Sequence, residues 1–64
     1  MNITLYALYN KEKNAYFAKD GYNTIDVSDM WLTPQRAAAM VVVESFAKMG
    51  FIYTIAEVEI NIFN

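Results

Sequence analysis

Apolar positions along the chain follow two periods, and the change from one to the other marks the elements. Residues 3 to 9, Ile3 to Tyr9, are rich in β-formers and predict a strand. Ile3, Leu5, Ala7 and Tyr9 fall on one face and Tyr6 and Leu8 on the other, so both faces are apolar. Such a strand is expected to be central or covered on both sides. Asn10-Lys11-Glu12-Lys13-Asn14 is a polar loop of hairpin length, after which Ala15 to Lys19 returns as a second strand. Asp20-Gly21 signals a turn, and Tyr22 to Val27 offers a short third strand.

The period then lengthens to that of a helix. Thr33 suits an N-cap, and Pro34 suits the first helical position, where its missing N–H costs nothing. Gly50 is placed to end the helix in a left-handed conformation, with Phe51 beyond it to make the accompanying apolar contact. The pattern therefore predicts a helix from Pro34 to Met49 with Leu32 as a hydrophobic staple. Ala38, Ala39, Val42, Val43, Phe46 and Met49 share its inner face, widened by Met40 and Ala47. Val41 falls among the polar residues, where burial in a monomer is hard to arrange.

Alternation resumes over Ile52 to Ile62. Ile52, Thr54, Ala56, Val58, Ile60 and Ile62 are expected to face the helix, with Tyr53, Ile55, Glu57, Glu59 and Asn61 facing water. The order predicts one α+β domain spanning residues 1–64: a three- to four-stranded antiparallel sheet with one helix packed on one face.

Composition sharpens the picture. An apolar fraction of 56% exceeds the roughly 45–50% of an ordinary soluble domain. One helix and a small sheet have difficulty covering it, and this implies an interface. Small domains are commonly reinforced by disulfides, metals or self-association. The chain has no cysteine and no histidine, so thiolate sites and the commonest metal ligand and general base are missing. Self-association or a partner remains. A net charge of −2 lacks the basic stripe that nucleic-acid binding needs. The apolar run Ala37 to Val43 is far too short to span a membrane. Met1-Asn2-Ile3-Thr4 has no basic segment or signal-peptide pattern, which with the absence of cysteine points to the cytoplasm.

Motifs for catalysis are absent: there is no P-loop, G-x-G-x-x-G or G-x-S-x-G, and the only glycines are Gly21 and Gly50. Asp20, Asp26 and Asp29 are close enough in sequence to consider for a hard cation, but they do not follow the EF-hand order and read as turn and cap residues. Glu57 and Glu59 share a strand face and read as solubilising residues rather than a catalytic pair. No catalytic, cofactor-binding or metal-binding residue is expected.

Aromatic residues are the stronger signal: Tyr6, Tyr9, Tyr16, Phe17, Tyr22, Trp31, Tyr53 and Phe63 are many for a small sheet. Tyr and Trp are enriched in protein–protein hot spots. Trp31 precedes the helix and either closes the core or meets a partner, and Arg36 near the helix start is disfavoured by the helix dipole. The candidate partner-binding residues are Tyr6, Tyr16, Tyr22, Trp31, Arg36, Met40, Val41 and Tyr53.

Trp31-Leu32-Thr33-Pro34-Gln35-Arg36-Ala37 resembles the helix start of the Dmd antitoxins of tailed phages, and the preceding hairpin and the Ala56-Glu57-Val58 strand are compatible with that family. The whole chain also looks like the small, acidic, cysteine-poor accessory proteins that such phages encode. The resemblance implies a protein that binds a host enzyme, toxin or defence factor and inhibits it in the host cytoplasm; no contact residue carries over. The expectation is thus a non-catalytic, cofactor-free binder of a protein partner. The alternatives are a structural homo-oligomer, a dimer before others, or a weak single-stranded nucleic-acid binder using a tyrosine-rich sheet face.

Overall fold

The computed structural model describes residues 1–62; Phe63, named among the aromatics above, and Asn64 lie outside the described residues. Strands β1 (Asn2–Asn10), β2 (Ala15–Phe17) and β3 (Asn23–Thr24) are followed by a short 3-10 turn (Val27–Asp29), helix α1 (Arg36–Lys48) and strand β4 (Thr54–Asn61). The four strands form one antiparallel sheet in the order β3-β2-β1-β4. This is the α+β architecture that the periodicity predicts.

The expected central strand is β1. Its full length pairs with β4, from Asn2 opposite Asn61 to Tyr9 opposite Thr54. Its other edge is shared. Tyr9 and Asn10 pair with β2, while Tyr6 exchanges both backbone hydrogen bonds with Thr33, at 2.8 and 3.0 Å. The second strand is shorter than the expected Ala15 to Lys19, continuing only as a bridge from Ala18 to Met30. The third shrinks from Tyr22–Val27 to Asn23–Thr24, because Asp26 captures the backbone first. Its carboxylate accepts from the Ser28 N–H at 3.0 Å and from the Ser28 hydroxyl at 2.9 Å, starting the 3-10 turn. Those same bonds, backbone first, lower the Asp26 pKa from its ordinary 3.8. The turn therefore has this cap in full above pH 3.8 and loses it as the pH falls through the lower folded value.

The helix starts two residues later than the Thr33–Pro34 pattern predicts. Gln35 is the N-cap and makes no side-chain capping bond. Thr33 is held extended by its bridge to Tyr6, and its hydroxyl accepts from the Gln35 N–H at 3.3 Å instead. Leu32 consequently lies outside the staple position. The other end follows expectation. Gly50 has φ +89° and donates to the Ala47 carbonyl at 3.1 Å, while Phe51 donates to the Phe46 carbonyl at 2.9 Å. That is the bond pattern of a Schellman cap, and the Phe46 and Phe51 rings meet edge-on at 6.4 Å to complete it. A Cβ on Gly50 meets nothing within 4 Å, so Gly50→Ala is expected to lose only conformational energy, about 1–2 kcal/mol. Urea denaturation measures this, and no change in midpoint would contradict the cap.

Directly opposed residues of an antiparallel pair share a face. Tyr9 opposes both Tyr16 and Thr54, which puts Ile3, Leu5, Ala7, Tyr9, Tyr16, Thr54, Ala56, Val58 and Ile60 on one side. Tyr6, Leu8, Asn10, Phe17, Ile55, Glu57 and Glu59 take the other. Phe46 of α1 lies 5.0 Å from Phe17 and 5.2 Å from Tyr53, ring centre to ring centre. The helix therefore covers the Leu8–Phe17–Tyr53 face. This reverses the expectation for β4: Tyr53 and Ile55 look toward the helix, and the Thr54, Ala56, Val58, Ile60 set looks away. A helix of 13 residues is about 20 Å long, whereas β1, with 9 residues, extends about 30 Å. The strands outrun the helix, and the exposed Glu57 and Glu59 occupy the helix-side face where it ends. Met49, expected in the core, is exposed because the chain has already turned at the cap.

The core is thin. Among the described residues Ala7, Leu8, Ala15, Ala18, Met30 and Ala39 are the buried apolar ones, and Leu8 is the largest side chain fully removed from solvent. Asn10 is the buried polar residue, and its side-chain oxygen accepts from the Lys13 N–H at 3.1 Å, closing the hairpin.

Candidate functional site

The sheet, its two turns and the helix end meet where α1 stops, and their side chains enclose a shallow open depression of about 170 Å³. The central strand and its hairpin bring Asn10 and Lys13, β2 brings Phe17, and the turn into β3 brings Gly21, Tyr22 and Asn23. The helix supplies Phe46, and the chain leaving its cap supplies Phe51 and Tyr53. Each is delivered by a local rule. Alternation aims Phe17 and Asn23, directly opposed in the sheet, at the helix side. The Schellman cap fixes Phe51 against Phe46. Asp20 accepts from the Tyr22 N–H at 3.0 Å, and Gly21 takes φ +91° beside it, so Tyr22 stands away from the sheet.

Phe17, Phe46 and Tyr53 form the floor, with ring centres 5.0 to 5.9 Å apart. The Tyr53 hydroxyl accepts from the Asn23 amide at 3.0 Å, which fixes that ring. At the rim Tyr22 is 75% exposed and Phe51 54% exposed. Met49 and Ile52, flanking the cap glycine and Phe51, are also exposed large apolar residues. Lys13 is the cation of the lining.

The size and chemistry limit what this site can do. A volume of about 170 Å³ is well below the roughly 300–1,000 Å³ of a typical small-molecule or cofactor pocket. It suits a single large side chain projecting from another surface. The floor is aromatic, the rim apolar, and Asn23 and Lys13 offer polar contacts at the margin. None of the lining residues is a carboxylate, histidine, cysteine or hydroxyl nucleophile paired with a base. Among the described residues no group of three His, Cys, Asp or Glu side chains could hold a metal ion.

No family model matches the chain, and neither a curated protein nor a solved structure matches it.

The candidate residues read from the sequence spread over several surfaces. Tyr22 and Tyr53 come together at the depression. Tyr16 stacks against Tyr9, 5.0 Å between ring centres, on the sheet face away from the helix. Tyr6 is half-buried beside Thr33, and Trp31 is half-buried with its ring edge-on to Phe17 at 6.4 Å. Arg36, Met40 and Val41 are exposed on the helix, Val41 at 63%. The sequence pattern gives Phe51 to the helix cap, which hides its place at the rim. The signal that marks it is the Gly50 turn, which breaks both periods at once and leaves its apolar neighbours Met49, Phe51 and Ile52 exposed.

The strands carry no cation, and Glu57 and Glu59 are their only charges. The cations nearest the Tyr9–Tyr16 pair in sequence are Lys11 and Lys13, in the hairpin loop that joins the two strands. Among the described residues no helix is long and apolar enough to cross a membrane.

Proposed function

We propose that this chain is a non-catalytic binding domain that occupies a surface of a protein partner and inhibits or modulates it. The observation that carries the reading is the depression at the helix C-terminal end: an aromatic floor of Phe17, Phe46 and Tyr53 with Tyr22 and Phe51 exposed at its rim. Rigid aromatic side chains around a small pocket are the usual composition of an interface hot spot, because they bury large area at low entropic cost. A projecting apolar or aromatic side chain of the partner fills the depression. Lys13 and the Asn23 amide meet polar or acidic groups beside it.

In its concrete form the domain is a phage-encoded inhibitor acting in the host cytoplasm on an enzyme, toxin or defence factor. The likeness of Trp31 to Ala37 to the Dmd antitoxins supports that form, as do the acidic composition and the lack of cysteine.

Affinity capture from cells tests the proposal. The wild-type chain is expected to retain one partner reproducibly. Tyr22→Ala and Phe51→Ala, both at exposed positions, are expected to weaken that capture about tenfold or more while leaving the far-ultraviolet circular dichroism unchanged. Equal retention by all three proteins would contradict the assignment of the site.

A further inference from the structure

We infer that β4 is a self-association edge, along which a second copy of the chain adds its own β4 antiparallel and joins two four-stranded sheets into one. None of β4 lines the depression, so this surface is separate from it.

The sheet has two edges, and they are treated differently. β3 is 2 residues long and runs directly into the Asp26-capped turn, a short edge of the kind that resists further pairing. β4 has 8 residues and no proline, and its register with β1 runs unbroken from Asn61 to Thr54. The hydrogen bonds fix which of its backbone groups face outward. The Ile62 N–H donates to the Met1 carbonyl at 2.9 Å, and the Met1 amino group donates to the Ile62 carbonyl at 3.5 Å. Alternation along an antiparallel pair then bonds Ile60, Val58, Ala56 and Thr54 to β1, while Ile55, Glu57 and Glu59 aim N–H and C=O at the free edge. Tyr6, opposite Glu57, agrees with this phase: both its backbone bonds go to Thr33, on the far side of β1. Among the described residues the outward groups of Ile55, Glu57 and Glu59 have no backbone partner.

Charge narrows self-pairing to one register. Outward groups meet outward groups, so a two-fold pair is centred on a residue. Centred on Glu57, Val58 or Glu59, two β4 strands set glutamate opposite glutamate, and like charges directly opposed destabilise a sheet pair. Centred on Ala56, Thr54 to Val58 of each copy overlap, with Glu57 opposite Ile55 and Thr54 opposite Val58. Ile55 and Glu57 then exchange their free N–H and C=O groups in both directions. Centring on Ile55 or Ile60 also separates the glutamates but leaves a shorter overlap within β4.

The helix converges on the same register. α1 packs chiefly on β1 and β4, so its axis stands about half a strand spacing, roughly 2.4 Å, inside β4. Adding a second β4 about 4.8 Å away, with its own helix equally offset, sets the two helix axes about 10 Å apart. Packed helices lie roughly 8–10 Å apart. Along the strands, α1 begins near Tyr6, through the Thr33 bridge, and ends with Phe46 on Tyr53, one residue past the Tyr9–Thr54 pair. Ala56, opposite Ala7, lies within that span, whereas Ile60, opposite Ile3, lies outside it. A two-fold axis through Ala56 therefore brings the helices side by side. After Arg36 in the first turn, one flank of α1 carries Met40 and Ala47 and the other Ala38 and Ser45, short or flexible side chains that admit a neighbour at this distance. An extended segment of another protein could use the same backbone groups, but it brings no helix to that flank.

Disulfide trapping and sedimentation equilibrium test the inference. The chain has no cysteine, so a single introduced cysteine cross-links only to another copy. Position 56 opposes itself across the two-fold axis in a non-hydrogen-bonded pair, with Cα atoms about 4.5 Å apart, within disulfide reach. Ala56→Cys is expected to form a covalent dimer under mild oxidation. Val58→Cys, about 14 Å from its own copy, is expected not to cross-link. The wild type is expected to approach twice the chain mass of 7.3 kDa as its concentration rises. Glu57→Pro deletes an outward N–H and leaves the bonds to β1 intact. It is expected to weaken association at least tenfold with an unchanged far-ultraviolet circular dichroism spectrum. Phe51→Ala is expected to keep the dimer, so self-association and partner capture at the depression are read separately. A wild-type monomer at all concentrations overturns the inference and leaves the edge to an extended segment of another protein. Cross-linking at position 58 equal to that at position 56 overturns it as well.

Discussion

Leu8→Ala is expected to remove about 3–5 kcal/mol of stability, the range for truncating a leucine in a packed core. The side chain is fully buried and is the largest among the described residues of which that is true. It points from the central strand into the layer between sheet and helix, to which the helix contributes the buried Ala39. Four of the five other buried apolar residues are alanines, which have no reach to refill the volume. A domain of 64 residues has a total stability of roughly 3–10 kcal/mol. The variant is therefore expected to lose a large part of that stability, with a sharply lowered urea midpoint. A loss under about 1 kcal/mol would show that the helix does not cover this face.

Phe46→Ala is expected to cost about 3–4 kcal/mol by the same mechanism. Its ring lies 5.0 Å from Phe17, 5.2 Å from Tyr53 and 6.4 Å from Phe51. Aromatic contacts of this kind add about 0.5–1.5 kcal/mol each beyond the area they bury. The half-buried position moderates the transfer part of the loss, which keeps the total below that of a fully buried phenylalanine. Phe46 also supplies the apolar contact of the Schellman cap, so its removal loosens the end of the helix as well as the core. Phe46→Leu is expected to recover about half of the loss, since it restores volume without the ring geometry. Chemical denaturation of the three proteins measures both steps. Equal stability of the alanine and leucine variants would contradict the aromatic cluster.

Much of this architecture is legible in the sequence because local rules and packing agree there. Gly50 and Phe51 announce the helix end, and both the left-handed glycine and the paired cap bonds are present. The two-sided apolar pattern of Ile3 to Tyr9 announces a central strand, and β1 takes that place. Where the reading departs from the structure, a tertiary contact outweighs a local preference. Thr33 and Pro34 satisfy every rule for a helix start, yet the backbone bonds between Thr33 and Tyr6 hold that segment extended. For β4, alternation separates two sets of residues but does not say which set meets the helix. Val58 and Ile60 are more apolar than Glu57 and Glu59, and the pattern favours them for the inside. The structure puts the glutamates on the helix side, beyond the helix end, because Tyr53 and Ile55 earlier in the same set cover Phe46.

The site was less legible than the fold for a related reason. Asn10, Phe17, Tyr22, Phe46 and Tyr53 are distant in sequence and belong to different elements. Only the packing of the helix end against the hairpin brings them together. Tyr22 and Tyr53 stood out as aromatics on their own merits, but nothing local connects them. Phe51 satisfies its cap contact with one edge and leaves more than half of its surface to solvent, two roles that a single position in a pattern does not reveal.

The central claim is that the depression is where a foreign protein binds, and site-specific photocrosslinking tests it most directly. A photoreactive phenylalanine analogue replaces Phe51 in one protein and Val41, on the exposed helix side, in another. Irradiation in cells is expected to give one covalent adduct to the same foreign protein from position 51, and none from position 41. Adducts of equal yield from both positions, or an adduct from position 51 only to the chain itself, would contradict the account.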